Sequence, residues 1–108
     1  MSRWRNSKKT KEWKKACIER DGGKCVLTGI SKNLEVHHIN DASYHPEQRY
    51  DINNGVTLYK YVHFIFHILV MGGYRKKCTR KHWNRFVRLF KYINLLFEAM
   101  QKQKTPVL

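Results

Sequence analysis

The stretch LEVHHIND, residues 34–41, decides how the chain is read: apolar residues alternate through it, and two histidines stand side by side before its end. A β-strand points successive side chains to opposite faces. Read as a strand, this segment sends Leu34, Val36 and His38 one way and Glu35, His37 and Ile39 the other. His37 and His38 therefore cannot share one task. Two neighbouring imidazoles facing apart need two different sets of partners.

The residues downstream offer one such set. Asn40 to Asn54 carries Asp, Ser and Pro and closes on Asn-Asn-Gly, the composition of a long loop. GVTLY, residues 55–59, reads as a second short strand that pairs with the first. KYVHFIFHILVM, residues 60–71, reads as a helix stopped by Gly72-Gly73. On that helix His63 and His67 are four residues apart and project from one face, where together they can chelate one ion. A hairpin leading into such a helix brings a strand histidine within reach of the same point.

The flanks are helical. Lys8 to Arg20 is rich in helix formers, gathers Trp13, Ala16 and Cys17 on one side, and ends at Asp21-Gly22-Gly23. Cys25 to Asn33 breaks at Gly29 and reads as a short extended piece and turn. The last segment starts at Thr79, a good N-cap, and runs to about Lys104 before Pro106 as the longest helix. Trp83, Phe86, Val87, Phe90, Ile93, Phe97 and Met100 recur on it at three- and four-residue steps, which predicts a core stripe, with Arg85, Arg88, Lys91 and Lys102 on the solvent side. Tyr92 and Leu95 fall outside the stripe and leave room for a second contact, either a dimer partner or a DNA flank.

Composition narrows the function classes. A chain of 108 residues supports one small domain and one site. It carries 22 Lys and Arg against 8 Asp and Glu, a net charge of +14. The excess sits in the flanks: residues 1–32 hold ten basic and three acidic residues, residues 72–108 ten and one, and the middle two and four. A polyanionic partner follows, because each cation brought to a phosphate releases a counterion. Arg3, Arg5, Lys8, Lys9, Lys11 and Lys77 are flank candidates for phosphate contact, and Arg49, Lys60, Arg75 and Lys76 are candidate phosphate clamps. No apolar run is long enough to span a bilayer, and three cysteines without paired spacing suit reduced thiols, so a cytoplasmic protein without a membrane partner is expected.

Taken together, LEVHHI, NNGVTL and HFIFH at this spacing resemble the HNH endonuclease family, and PEQRYDINNGVTL followed by GGYRKKCTRKHWNRF is similar to its small phage-type members, some of them homing endonucleases. The resemblance runs from about Trp13 to Phe90. It implies an α+β fold, a ββα-metal (His-Me finger) motif set between an N-terminal helix and a long C-terminal helix. One domain over 1–108 would then comprise a basic arm and helix (1–24), the ββα-metal core (33–71) and a basic helical region (72–108).

By the same resemblance His37, His63 and His67 would ligate one divalent ion, His38 would act as general base, and Asn54 would tie the loop to the first strand and steady His38. Mg²⁺ is the expected cellular ion, and Mn²⁺, Ni²⁺ or Zn²⁺ would also bind three imidazoles. The chain departs from relatives that hold a structural zinc on two Cys-x-x-Cys pairs: those places read Cys25-Val-Leu-Thr28 and Tyr59-Lys-Tyr-Val62. No structural zinc is expected, with Tyr59, Val62 and the last helix supplying apolar packing instead. Cys17 and Cys78 have no partner at ligand spacing and read as packing or surface residues. His45 reads as a loop residue, His82 as a surface residue, and Arg49 and Asp51 are spaced to pair with each other. The implied function is metal-dependent hydrolysis of DNA. A non-catalytic DNA-binding module and an RNA-directed nuclease stand as alternatives, with nicking against double-strand cleavage, monomer against homodimer, and a specificity-setting protein partner left open.

Overall fold

A computed structural model describes residues 3–73 and 77–102. Helix α1 (Lys8–Arg20) is followed by strand β1 (Leu34–His38), strand β2 (Gly55–Tyr59), helix α2 (Lys60–Leu69) and helix α3 (Arg80–Lys102). Short 3-10 turns lie at Arg3–Asn6, Pro46–Gln48 and Ile52–Asn54, so the expected loop between the strands is folded into two of them. The fold is α+β, with a two-stranded antiparallel sheet and three α-helices among the described residues, the longest helix last. Among the described residues no helix is long and apolar enough to cross a membrane.

The strand register places Val36 opposite Thr57, His37 opposite Val56 and His38 opposite Gly55. One more ladder bond, from the Ile39 N–H to the Asn54 carbonyl at 2.9 Å, carries the pairing into the loop. A sheet of two strands leaves both outer edges open, and unpaired backbone groups there need partners. On β2 the Asp21 carboxylate accepts from the Thr57 N–H at 3.0 Å, while the Thr57 carbonyl accepts from the Val26 N–H at 3.1 Å. Arg20 holds Asp21 at 2.8 Å and donates to the carbonyls of Gly55, at 2.7 Å, and Ile52. The C-terminal end of α1 thereby closes the β2 edge.

Each sheet face meets a different helix. α1 is capped by Ser7, whose hydroxyl accepts from the Thr10 N–H at 3.2 Å, and it buries Thr10, Trp13 and Cys17 at three- and four-residue steps. A side chain at position 55 would have no room beneath that row: a Cβ there would lie 2.5 Å from Trp13 Cζ2 and 2.6 Å from Cys17 Sγ. The opposite face contributes Val56 and Leu58 to a core completed by Cys25, Ile39, Val62, Phe66, Met71, Cys78, Trp83 and Phe86. Val62 is buried in it and Tyr59 packs against it from the rim. All three cysteines are free and buried. For Cys78 and Cys17 this settles packing over surface.

Three local expectations need correction. The stripe on α3 is buried only as far as Phe86, with Val87 and Phe90 packed at its margin, whereas Ile93, Phe97 and Met100 are exposed. Periodicity identifies the apolar face of a helix and says nothing of how far the body beneath it extends. His82 is half-buried: its Nδ1 accepts from the Thr79 N–H at 3.1 Å, the reciprocal half of a helix-start capping arrangement. Arg49 and Asp51 take different partners. Arg49 donates to the Ala42 carbonyl at 3.1 Å, and Asp51 accepts from the Asn53 N–H at 2.8 Å to cap a 3-10 turn.

Because Gly55 is required for space rather than for backbone conformation, Gly55→Ala should lift Trp13 and Cys17 off the sheet and lower stability by about 2 kcal/mol. Denaturant unfolding measures this, and an unchanged midpoint would contradict the packing described.

Candidate functional site

The two faces of β1 carry two different arrangements of histidine. On the α2 side, His37 Nδ1 lies 3.2 Å from His63 Nε2, and His67 Nε2 lies 3.1 Å from the same atom. The three ligand atoms all fall within 4.8 Å of one another, and they form the one cluster of potential metal ligands among the described residues. Helical spacing aligns His63 with His67, and the strand register delivers His37 to them. Ligand atoms held about 2.1 Å from one ion lie roughly 2.9–3.4 Å apart, and the two short separations match that range as well as that of a ring N–H···N hydrogen bond.

The groups behind the imidazoles orient them. His63 Nδ1 donates to Glu35 Oε1 at 2.8 Å, which turns its Nε2 lone pair inward. Glu35 stands two residues before His37 on the same strand face, and a carboxylate behind a ligating histidine both aligns the ring and raises its basicity. His37 Nε2 donates to Cys78 Sγ at 3.6 Å, and the Cys78 thiol itself donates to the Ile39 carbonyl at 3.3 Å. Burial, with the Asp41 carboxylate nearby, pushes the Cys78 thiol up to about 12, so it remains protonated beside the His37 ring. Phe66 closes against the His37 ring with centroids 4.6 Å apart.

Burial, reinforced by the neighbouring His63 and His67, holds His37 well below the ordinary imidazole range. His67 falls to about 4 through burial and then through His63, against the opposing pull of Asp41 and Glu35. Both are therefore neutral at physiological pH, the protonation state in which imidazole binds a cation.

His38 faces α1. Its ring stacks on Trp13 with centroids 4.0 Å apart and planes 8° from parallel, and Trp4 meets it edge-on at 5.9 Å. His38 Nε2 donates to the Arg49 carbonyl at 3.0 Å, leaving Nδ1 as the nitrogen with the lone pair. Burial keeps this imidazole below its ordinary value against the Arg49 hydrogen bond and Asp41, with Arg5 and Lys14 adding to the lowering. The indole is fixed in turn: its N–H donates to the Asp51 carbonyl at 2.8 Å. Asn54 is buried and joins the two ends of the loop, accepting from the Asn40 N–H at 2.8 Å and donating to the carbonyls of Asn40 at 3.0 Å and Gln48 at 3.2 Å. The loop so tied is the one that presents the Arg49 carbonyl.

His37, His38, His63 and His67 all line one cleft of about 360 Å³, together with Trp4, Arg5, Lys14 and Cys78. Of the basic candidates, Arg5 reaches the cleft wall and donates to Ser43 Oγ at 3.2 Å. Arg49 lies over the Trp4 ring at 4.2 Å. Arg3, Lys8, Lys9, Lys11 and Lys77 are exposed on the surface, and Lys60 is half-buried over Tyr61, off the cleft lining. Arg75 and Lys76 lie outside the described residues. Lys14, Glu35, Trp4, Trp13 and Cys78 belong to the site although none was singled out for it. Glu35 could have been found, since same-face spacing on a strand predicts its position, whereas Cys78 is brought in by tertiary folding alone.

Cys25 is buried beside the Thr28 hydroxyl. Burial raises its pKa, but the Thr28 hydroxyl and backbone donors of Tyr59, Leu27 and Thr28 outweigh that, and the thiol lies below its ordinary value.

No protein-family model matches the chain, and neither a curated protein nor a solved structure matches it.

Since Glu35 orients His63 from behind, Glu35→Ala should weaken binding of Zn²⁺ or Mn²⁺ about tenfold to a hundredfold, as read by titration calorimetry. Wild-type affinity in that variant would remove Glu35 from the site.

Proposed function

We propose that the protein is a metal-dependent endonuclease of the HNH type, which hydrolyses DNA phosphodiester bonds with His38 as general base and one divalent cation held by His37, His63 and His67. One observation carries this reading. A three-histidine cluster and a separately held imidazole with a defined free nitrogen open into the same cleft. The net charge of +14 supports a polyanionic substrate.

A cation held by His37, His63 and His67 would supply positive charge to stabilise the negative charge that develops on the phosphate. The remaining work falls to the chain. Neutral His38 takes a proton from water at Nδ1 as the water oxygen forms its bond to phosphorus, and the bond from phosphorus to the 3′ oxygen breaks. The products are a 5′-phosphate and a 3′-hydroxyl, the latter protonated from solvent. Stacking on Trp13 and the bond to the Arg49 carbonyl hold the His38 ring in one orientation, so little reorganisation is needed as the proton moves. Asn54 keeps that carbonyl in place through the loop. Arg5 and Lys14 line the cleft as cations for the phosphates flanking the scissile bond. An all-imidazole ligand set accepts transition metals readily, and Mg²⁺ is the ion expected to support turnover in a cell.

Supercoiled plasmid and a structured RNA, each incubated with Mg²⁺ or Mn²⁺ and with EDTA, test the proposal. Plasmid relaxation or linearisation that EDTA abolishes is expected. RNA cleavage alone would redirect the activity, and binding of DNA without cleavage under every metal would leave a DNA-binding module. His38→Ala should reduce turnover by several orders of magnitude while metal affinity stays within a few-fold of wild type.

A further inference from the structure

The outer half of α3 and one side of α2 expose a run of large apolar side chains. Residues 91–102 of α3 are exposed throughout, yet Ile93 (50% exposed), Leu96 (48%), Phe97 (60%) and Met100 (71%) continue the face on which Phe86 and Phe90 pack. The helix therefore carries its burial stripe about 18 Å past the last buried turn. The molecule measures 60 × 27 × 20 Å, in keeping with a projecting arm. At the root of the arm, Val62, Ile65 and Leu69 of α2 and Phe86, Leu89 and Ile93 of α3 wall a groove of about 290 Å³ without a polar side chain. The outer side of α2 extends the patch with exposed Tyr61, Phe64 and Ile68.

We propose that this surface joins two copies of the chain about a twofold axis, with the arm of each lying in the groove of the other. The argument is one of self-complementarity. An apolar ridge and an apolar groove occur on the same chain, and a twofold operation satisfies both at once, whereas a single foreign partner would need to supply both shapes. The area suffices: the exposed apolar side chains of α2 and the outer half of α3 amount to roughly 1,000 Å², above the ~800 Å² that each partner contributes to a standard stable interface and above the ~300–600 Å² patch of an ordinary monomer. Charge permits it as well. Lys91, Glu98 and Lys102 fall on the opposite side of α3 from the stripe, so pairing does not bring the cations of two basic chains together. The same absence of cations from the stripe makes it a poor seat for nucleic acid. Under the nuclease reading, on which this consequence rests, the dimer carries two clefts, one from each chain.

Sedimentation equilibrium of the full chain over a wide concentration range tests the pairing without reference to activity. The expected result is a species of two chains, each of 13.0 kDa, in reversible exchange with one. Phe97→Glu on the arm and, independently, Ile65→Glu on the groove should each raise the dimer dissociation constant by about thirtyfold or more. Their far-ultraviolet circular dichroism should match wild type, since both side chains are exposed. A single-chain mass at all concentrations would overturn the proposal, as would a dimer that both variants leave intact. Dimerisation without nuclease activity would uphold the pairing and remove only the nuclease reading.

Discussion

The register of one strand pair governs the site. His37 sits opposite Val56 and His38 opposite Gly55, and because side chains on a strand alternate, a slip of one residue would exchange the two histidines between faces. With the observed register, Glu35 and His37 look toward α2 and its two histidines, and His38 looks toward α1. The partner at position 55 matters as much as the histidine. Without a side chain there, Trp13 settles onto the sheet and lies flat against the His38 ring. The adjacent imidazoles are thus separated into a polar cluster and an aromatic stack by backbone pairing alone.

The cluster crowds three imidazoles in a way that the proposed cation would relieve. Glu35 pairs with the outer nitrogen of His63 and Cys78 lies against that of His37, so the inner nitrogens of the three rings are crowded to within 3.1–3.2 Å of one another at His63. Burial and mutual repulsion depress the proton affinity of His37 and His67, so protonation does not relieve the crowding cheaply. A divalent ion, as proposed, would relieve it, and its binding would be coupled to the stability of the fold, because His37, His63 and His67 come from two elements that meet only when the hairpin is formed. Backing by a protonated thiol rather than a second carboxylate keeps the interior side of the cluster uncharged, in keeping with its apolar surroundings of Phe66 and Trp83.

Much of this was legible in the residues. The alternation of LEVHHI places His37 and His38 on opposite faces, Gly-Val-Thr-Leu-Tyr has the pattern of the strand that pairs with it, and the i, i+4 spacing aligns His63 with His67. The Asn54 amide, expected to tie the loop to the first strand, bonds Asn40 and Gln48 within the loop instead. Other features depend on distances that a linear pattern does not encode. Trp13 meets His38 across 25 positions and Cys78 meets His37 across 41, each through packing of separate elements. The α3 stripe shows the limit of periodicity most clearly: Phe86 and Phe97 are equivalent by helical phase, and only the extent of the underlying body makes one core and the other surface. Arg49 and Asp51 illustrate a local failure of the same kind, since backbone carbonyl and amide groups in a tight loop compete successfully for side chains that could have paired.

The central claim is that His37, His63 and His67 hold one divalent ion through inward-facing nitrogens. Crystals grown with Mn²⁺ or Zn²⁺ and measured at the absorption edge of the metal test it most directly. The account predicts a single strong anomalous peak about 2.1 Å from His37 Nδ1, His63 Nε2 and His67 Nε2, with the His38 ring uncoordinated. A peak on His38, or an ion bound elsewhere while the three histidines remain unliganded, would contradict it.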